Sequence, residues 1–222
     1  MTPRVVILSA PSGGGKTTIS RALLARRADV GYSVSATTRP PRPGERDGES
    51  YHFVTPTEFD RLVAAREFLE WAEYAGNRYG TLRREVRAVL AAGKHVLLDI
   101  EVRGARQVQQ ECPSPESISV FVLPPDPETW IERLVGRETE APAVVARRLQ
   151  RAITEIQESV DWEHVVINDD LDAVVAEVGT IIDEDGKRAH RPPIPRLVRL
   201  VEDLVSAAQR HQPPAGTNDL AV

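Results

Sequence analysis

The feature that most constrains this chain is a glycine-rich stretch near its N-terminus, Ala-Pro-Ser-Gly-Gly-Gly-Lys-Thr at residues 10–17. An apolar run at residues 5–8 precedes it and has the branched side chains of a buried parallel strand. The residues that follow it, 18–24, have the apolar spacing of a helix. A strand, a glycine-rich turn, a lysine and a helix in this order predict a phosphate-binding loop.

The residue types in this stretch explain how it would hold a phosphate. Glycines allow backbone N–H groups to turn inward around phosphate oxygens, and the positive end of the next helix dipole faces the same anion. Lys16 would add a positive charge near the β- and γ-phosphates, and the Thr17 hydroxyl can coordinate Mg²⁺. Ala10 replaces the first glycine of the usual pattern but still fits a tight strand exit. The simpler alternative is a glycine-rich turn with an incidental lysine.

The composition limits the class of protein. A length of 222 residues, with 41% hydrophobic and 27% charged residues, suits one α/β domain with a lid or a tail. The net charge of −5 does not indicate a surface for nucleic acid or an anionic membrane. Cys112 is the single cysteine, so no disulfide can form within the chain, and no apolar run has the length of a membrane span or a signal peptide. We therefore expect a cytoplasmic protein.

Strand and helix patterns alternate along the chain, which predicts a parallel, doubly wound α/β sheet. Strands are expected at residues 32–35, 51–54, 68–74, 95–99, 117–123 and 164–168, with a turn at 76–81. Helices are expected at residues 58–65, 82–92, 127–134, 143–160 and 171–182, the first capped by Thr57 and the last by Asp170. The block from about 33 to 81 predicts a small β-rich insert between two helices of the main sheet.

Two further segments indicate phosphate chemistry. Arg39 and Arg42 lie on a proline-rich loop, and planar guanidinium groups on a stiff loop suit a phosphate. The alternative for this loop is a solvated basic turn. Asp99 ends an apolar strand, the position from which a phosphate-loop enzyme holds Mg²⁺ through water. The alternative for Asp99 is a helix cap after a core strand.

A polar hinge at residues 136–142 separates two of the predicted helices. The second of these helices carries Arg147, Arg148 and Arg151, which is the composition of a lid that closes over a phosphoryl group. A charged helical surface is the alternative.

The C-terminal part differs from the rest of the chain. A proline-rich linker at residues 191–195 leads into a helical apolar stripe, formed by Leu197, Val201, Leu204 and Ala208. This helix is expected to dock on the core or on another chain, and a homo-oligomer is therefore one of the two alternatives. The residues from 212 onward have the composition of a disordered end.

Over roughly its first 180 residues the chain resembles guanylate kinase, the nucleoside monophosphate kinase family that makes GDP from GMP and ATP. The most specific match is Ser-Ala-Thr-Thr-Arg-Pro-Pro-Arg-Pro-Gly-Glu at residues 35–45, since a phosphate loop alone does not separate kinase families. The other matching segments are 9–17, 51–54, 68–73, 76–81, 98–101 and 166–170. The resemblance implies a P-loop NTPase fold of the α/β class, with a parallel sheet flanked by helices, a small β-rich GMP-binding insert and a helical lid.

The resemblance also implies how the chain is divided. A guanylate kinase-like domain would span residues 1–182, with its core at 1–32 and 82–182, the GMP-binding insert at about 33–81 and the lid at about 136–150. The extension at 183–222 has no clear counterpart in the family. The chain departs from the family pattern in two places, because the family commonly has Gln near Arg103, and Glu138 replaces a frequent Gly in the lid hinge.

The same resemblance implies roles for individual residues. ATP would be bound by Ala10, Pro11, Ser12, Gly13, Gly14, Gly15, Lys16, Thr17, Thr18 and Asn168. GMP would be bound by Ser35, Arg39, Arg42, Tyr51, Glu70, Tyr79, Thr81, Asp99 and Glu101. Phosphoryl transfer would depend on Lys16, Arg39, Arg137 and Arg148. The cofactor Mg²⁺ would be held by Thr17 and, through water, by Asp99.

The chemistry of guanine is consistent with Glu70 and Thr81 as the residues that recognise the base. The N1–H and the 2-amino group of guanine are two parallel donors, and a carboxylate supplies two acceptors. Adenine lacks this donor pair and would leave the acid unmatched. The implied partners are ATP and GMP, in purine nucleotide metabolism, with no nucleic acid and no membrane.

Two other functions remain alternatives at this point. A non-catalytic guanylate-kinase-like module that binds phosphopeptides typically lacks the loop lysine, whereas Lys16 and Thr17 are present here. The chain could also be a related kinase that acts on another phosphorylated sugar or nucleotide. Glu70 and Thr81 argue against this alternative. A comparison of AMP, CMP, UMP and GMP as acceptors distinguishes these functions.

Overall fold

A five-stranded parallel sheet forms the centre of the computed structural model, which describes residues 2–74, 76–135, 142–187 and 189–210. The strands of the chain are β1 (Val5–Ser9), β2 (Val30–Tyr32), β3 (Ser35–Thr37), β4 (His52–Phe53), β5 (Phe68–Tyr74), β6 (Asn77–Leu82), β7 (His95–Asp99), β8 (Ser117–Leu123) and β9 (His164–Ile167). The parallel sheet has the order β2-β7-β1-β8-β9. A parallel sheet flanked by helices confirms the expected α/β class.

Helices cover both faces of this sheet. They are α1 (Lys16–Arg26), α2 (Pro56–Ala64), α3 (Arg83–Ala91), α4 (Val102–Glu111), α5 (Pro127–Val135), α6 (Pro142–Glu158), α7 (Leu171–Asp183) and α8 (Ile194–Arg210). Alternate residues of β1 divide between two apolar clusters, with Ile7 facing α3 to α6 and α8, and Leu8 facing α1 and α7. Because successive side chains of a strand point to opposite faces, β1 is buried on both sides.

The central position of β1 determines where the glycine-rich loop lies. β1 pairs with β7 on one side and with β8 on the other, both in parallel. The loop therefore leaves the carboxyl edge of the sheet between two neighbouring strand ends. Ligands of open α/β sheets bind in crevices of this kind.

A second sheet is built from the segment between α1 and α3. Its order is β4-β3-β6-β5, with β3 and β4 parallel and the other pairs antiparallel. With α2 it encloses a small apolar cluster that includes Phe59, Phe68 and Leu82. The two sheets give the chain two separate surfaces on which polar side chains can be presented.

Some expected elements have different boundaries in the structure. Residues 32–35, expected as one strand, are divided, because Tyr32 ends β2 in the parallel sheet and Ser35 begins β3 in the second sheet. The turn expected at 76–81 is mostly strand β6, whose pairing with β3 and β5 outweighs the turn preference of glycine and asparagine. Gly80 makes this pairing feasible, since a Cβ there would lie 2.7 Å from the Phe68 ring.

Two helices also differ from the sequence-based prediction. Helix α2 begins two residues earlier than expected, because the hydroxyl of Thr55, not that of Thr57, accepts from the Glu58 N–H at 3.1 Å. Pro56 suits the first helical position, where no N–H is needed. Helix α4 was not expected at all, since its apolar side is short and its other residues are mostly charged or polar. The cap of α7 is the expected one, as the Asp170 side chain accepts from the Ala173 N–H.

Helix α8 packs on the core through the stripe that the sequence predicts. Leu197, Leu204 and Ala208 are fully buried, in the same cluster as residues of α5 and α6. Of the two expected alternatives, the described structure therefore shows docking on the chain's own core.

No helix among the described residues is both long and apolar enough for a membrane span. The end from residue 212 lies outside the described residues.

Leu204→Ala should lower the free energy of unfolding by about 2–4 kcal/mol, because truncation of a fully buried leucine leaves a cavity. Asp203→Ala is the matched control on the same helix, and its exposed side chain should change stability by less than about 0.5 kcal/mol. Urea unfolding followed by circular dichroism measures both. Equal effects of the two substitutions would mean that α8 does not stabilise the core in solution.

Candidate active site

The glycine-rich loop connects β1 to α1 and has backbone conformations that residues with a side chain rarely adopt. Gly13 and Gly15 have φ angles of 83° and 92°, in the left-handed region that favours glycine. A Cβ on Gly14 would lie 2.9 Å from the Cβ of Ala10 and 3.0 Å from the carbonyl oxygen of Pro11. The N–H of Gly14 donates to that oxygen at 2.9 Å. The loop is therefore curled tightly before the helix N-terminus, which is the form that holds phosphates.

Three side chains from distant elements support this loop. The indole N–H of Trp130 in α5 donates to the carbonyl oxygen of Ser12 at 2.8 Å. The amide of Asn168, which follows β9, donates to the carbonyl oxygen of Gly14 at 2.9 Å. Nη2 of Arg148 in α6 donates to the Ser12 hydroxyl at 3.0 Å. Asn168, expected near ATP, and Arg148, expected in the lid, thus lie directly against the loop.

Lys16 begins α1, and its ammonium group lies beside two carboxylates. Nζ is 3.1 Å from Oδ1 of Asp99 and 3.6 Å from Oε1 of Glu101. Asp99 lies here because β1 and β7 pair in parallel, with Leu8 opposite Asp99. Burial lowers the pKa of Lys16, but the negative charges of Asp99 and Glu101 outweigh burial and raise that pKa above its ordinary value. Lys16 is therefore a fixed cation at the edge of the sheet.

Two residues of α6 extend this charged cluster. Nη2 of Arg151 is 3.9 Å from Oε2 of Glu101, and Nε of Arg151 donates to Oε1 of Glu155 at 3.0 Å. Burial and the charge of Glu101 raise the pKa of Glu155 above its usual range, whereas the charges of Lys16 and Arg151 outweigh burial and lower the pKa of Glu101. Arg151 and Glu155 also line a cleft of about 610 Å³ between α4 and α6. The sequence does not indicate that Glu155 belongs to this cluster, because a carboxylate on an amphipathic helix usually faces solvent.

The loop that follows β3 is folded around one ion pair. Nη1 and Nη2 of Arg39 each donate to an oxygen of Glu45 at 2.9 Å, and the N–H of Arg42 donates to the same carboxylate at 2.7 Å. The Arg39 guanidinium lowers the pKa of Glu45 to about 2, so this pair persists at neutral pH. The guanidinium carbon of Arg39 is 5.4 Å from the ring centroid of Tyr51. Glu45 therefore positions the loop, and the Arg42 side chain remains exposed.

Tyr51, which directly precedes β4, packs among residues of the second sheet and the Arg39 loop. Its ring centroid is 5.9 Å from that of Tyr79, which lies on β6. Burial raises the pKa of the Tyr51 hydroxyl, and Tyr79 and Asp99 add to this effect. The positive charges of Arg39 and Lys16 act on the same hydroxyl in the opposite direction. Tyr51 therefore packs against both the Tyr79 ring and the Arg39 guanidinium group.

Glu70 is a buried carboxylate on the second sheet. Oε1 accepts from the N–H of Thr81 at 3.1 Å and from the Thr81 hydroxyl at 2.7 Å, and the residue is 5% exposed. A register irregularity between Phe68 and Glu70 places Glu70 opposite Thr81. Thr81 is also opposite Ser35 on β3, so these three expected GMP residues are neighbours in the sheet. Burial raises the pKa of Glu70 to about 7, although the hydrogen bonds from Thr81 oppose the shift.

This pKa leads to a prediction for stability. Between pH 4.5 and 7 the folded chain binds more protons at Glu70 than the unfolded chain, so stability falls as pH rises through that window. Above pH 7 the ionised carboxylate should cost about 3 kcal/mol. Glu70→Gln should therefore gain in unfolding free energy relative to the parent protein as pH rises from 5 to 8.

Urea unfolding at several pH values measures this change. Glu73→Gln is the matched control, because Glu73 lies on the same strand and is exposed. Its difference from the parent protein should stay constant within about 0.5 kcal/mol. A Glu70→Gln curve that runs parallel to the parent curve would contradict the raised pKa.

The residues expected to hold Mg²⁺ are Thr17 and Asp99. Thr17 lies in the first turn of α1, one residue after Lys16, and Asp99 lies at the adjacent end of β7. In the described parts of the chain, no three His, Cys, Asp or Glu side chains are grouped to hold a metal ion. A hydroxyl and a carboxylate nonetheless fit Mg²⁺, which usually binds one or two protein oxygens together with substrate phosphates.

The expected site residues within the described parts of the chain lie around two places, the loop at the N-terminus of α1 and the second sheet, with helix α4 contacting both. The loop residues, Thr17 and Thr18 lie at the N-terminus of α1, and Glu101 precedes α4. Arg137 and Glu138 lie outside the described residues. Arg103, the other departure from the family pattern, lines the cleft between α4 and α6.

Comparisons with known proteins agree with this arrangement. The family model described as guanylate kinase matches residues 2–185. A guanylate kinase of Thermobifida fusca is 49% identical over 179 residues, which cover 81% of this chain and 90% of that protein. A guanylate kinase of Alkalilimnicola ehrlichii is 42% identical over 205 residues, which cover 92% of this chain and all of that protein. The crystal structure of guanylate kinase from Anaplasma phagocytophilum has a TM-score of 0.68 at 28% identity, covering 89% of this chain and 94% of that chain. The chain belongs to the guanylate kinase family.

Proposed function

We propose that this protein transfers the γ-phosphoryl group of ATP to GMP and releases ADP and GDP. The observation that carries the proposal is helix α4, which joins the two sites: Glu101 before it lies 3.6 Å from the Lys16 ammonium group, and Gly104 within it lies against Glu70 of the second sheet. A donor nucleotide on the loop and an acceptor nucleotide on the second sheet would therefore be neighbours. Family membership supports the same reaction.

On the acceptor side, we assign GMP to the insert at about 33–81. Arg39, Arg42, Tyr51 and Tyr79 would bind its phosphate, because guanidinium and phenol groups supply several donors to one anion. Glu70 would accept from the guanine N1–H and 2-amino group, with Thr81 holding the other side of the carboxylate. Ser35, Asp99 and Glu101 complete the proposed GMP site.

On the donor side, we assign ATP to the core at 1–32 and 82–182. Residues 10–18 would surround the β- and γ-phosphates, and Asn168 would lie beside the loop next to the adenine. Mg²⁺, held by Thr17 and by Asp99 through water, would supply positive charge to these phosphates. The lid at about 136–150 would add Arg137 and Arg148, and Arg148 already contacts the loop at Ser12.

The reaction then requires alignment and positive charge, with little covalent help from the protein. The GMP phosphate is already an anionic nucleophile, so no residue has to act as a general base. Its oxygen would attack the γ-phosphorus in line while Lys16 and the arginines neutralise the charge that spreads over the transferred group. Both substrates and Mg²⁺ are present in the cytoplasm, to which we assign the protein.

The decisive experiment measures ADP formation from ATP and Mg²⁺ with GMP, AMP, CMP or UMP as the acceptor. We expect turnover with GMP and a preference of at least about 10³-fold over AMP, since AMP leaves the Glu70 carboxylate unmatched. No ADP from a folded protein with GMP would overturn the proposal. Equal use of another acceptor would assign the site to a different phosphorylated substrate.

A further inference from the structure

Helix α4 approaches strand β5 unusually closely at Gly104. A Cβ on Gly104 would lie 2.3 Å from Oε2 of Glu70 and 2.9 Å from its Cδ, closer than real Cβ atoms come to other atoms. Gly104 is a buried helical residue, and its φ is not in the left-handed region. The backbone conformation therefore does not require glycine here, and a glycine inside a helix costs up to about 1 kcal/mol relative to alanine. Glycine is needed instead because the Glu70 carboxylate occupies the space that a Cβ at this position would take.

A second contact fixes this approach. Gln107 lies one turn further along α4, on the same side as Gly104. Its Nε2 donates to the carbonyl oxygen of Trp71 at 2.9 Å, and its Oε1 accepts from the Trp71 N–H at 3.2 Å. Because Trp71 follows Glu70 on β5, this pair of hydrogen bonds holds α4 against the strand at the point where the carboxylate lies.

The carboxylate of Glu70 is therefore held from two directions. Both of its described hydrogen bonds come from Thr81 and end on Oε1. Its other oxygen, Oε2, rests over the bare Cα of Gly104. Together the two contacts determine the plane of the carboxylate, which must match the plane of a guanine base if both oxygens are to accept hydrogen bonds.

We propose that Gly104 is a positioning residue for base recognition, which keeps the Glu70 carboxylate in the plane that guanine requires. This inference rests on the proposed role of Glu70 in binding GMP. A methyl group at position 104 would displace Oε2 by roughly 1 Å, and a misplacement of that size in a positioning group costs about tenfold to hundredfold. The loss falls on GMP, because the three atoms nearest to a Cβ at position 104 all belong to Glu70.

Steady-state kinetics of Gly104→Ala test the proposal. We expect the KM for GMP to rise about tenfold or more and the KM for ATP to change less than twofold. Gly179→Ala is the matched control, because Gly179 is also a helical glycine and the nearest atom to its missing Cβ is Nη1 of Arg27, at an ordinary 3.4 Å. This control should leave both KM values unchanged. Equal losses for ATP and GMP in Gly104→Ala would overturn the proposal.

A double-mutant cycle with Glu70→Ala separates positioning from a general effect on the fold. When Glu70 is absent, Gly104→Ala should change the KM for GMP by less than twofold, since nothing remains to be displaced. A loss that persists in this background would overturn the proposal. If Gly104→Ala alone does not fold, the double variant should fold and melt close to Glu70→Ala, and its failure to do so would also count against the proposal.

The outcomes distinguish this inference from the proposed function. If the parent protein does not phosphorylate GMP, the proposed function fails, and the melting temperatures of the same four proteins still show whether Gly104 and Glu70 are coupled. If the parent protein is active and Gly104→Ala has the parent KM for GMP, the inference fails and the proposed function stands.

Discussion

Lys16→Ala is expected to lower kcat for GMP phosphorylation by about 10³-fold or more. The transferred phosphoryl group carries its charge on three oxygens, and Lys16 is the cation that the helix N-terminus presents to the donor phosphates. Its pKa lies above the ordinary value, so the charge is present over the whole pH range of an assay. A backbone loop without this charge would still bind phosphate, and for that reason the KM for ATP should change much less than kcat.

Lys16→Ala should lose some stability, because Asp99 and Glu101 lose their cation, but the fold should persist, since Lys16 belongs to neither apolar cluster of the sheet. Lys94→Ala is the matched control, since Lys94 is exposed in the turn before β7. It should retain the parent kcat within about twofold. Circular dichroism of both variants, recorded beside the assays, shows that a loss of rate is not a loss of structure. A Lys16→Ala protein that turns over at the parent rate would remove Lys16 from the reaction.

The sequence predicted the parallel sheet well because its strands are buried on both faces. β1, β7 and β8 are near-continuous apolar runs, and such runs need no partner to be recognised. The second sheet was less predictable. β6 contains Asn77 and Gly80, which favour turns when considered alone, and only pairing with β3 and β5 makes them a strand. Helix α4 is not predicted from the sequence, because its helical conformation depends on packing against its neighbours more than on its own apolar spacing.

The same distinction applies to the site. The motifs that resemble guanylate kinase predict the loop, Arg39 and Glu70 as site residues. They could not locate Glu155 or Gly104, whose importance lies in contacts made across the fold with Arg151 and Glu70. A single sequence gives no signal for such contacts, because an acid on a helix and a glycine in a helix have many ordinary explanations.

Helix α4 links the donor and acceptor sides of the proposed reaction. Glu101, at its N-terminus, lies 3.6 Å from the ammonium group of Lys16. Gly104 and Gln107, within the next two turns, contact Glu70 and Trp71 on the second sheet. A rigid element therefore connects the cation of the donor side to the carboxylate of the acceptor side. Because α4 contacts both sides, we expect the alignment of the two proposed substrates to depend on this helix.

Glu70→Ala is expected to raise the KM for GMP about 10²-fold while the KM for ATP changes less than about threefold. The substitution removes both acceptors for the guanine donors and leaves the Thr81 hydroxyl without its partner at 2.7 Å. Because the GMP phosphate would still be held by Arg39 and its neighbours, GMP should bind in the right place but weakly. The preference for GMP over AMP should then fall by a similar factor, since the residue that distinguishes the two bases is gone.

Glu73→Ala is the control, because Glu73 lies on the same strand and its side chain is exposed. It should leave both KM values within about twofold of the parent values. Acceptor selectivity is the more informative measurement, since a distorted insert would weaken GMP and AMP alike and keep their ratio. A Glu70→Ala protein that binds GMP more weakly but prefers it over AMP as strongly as before would show that another group recognises the base.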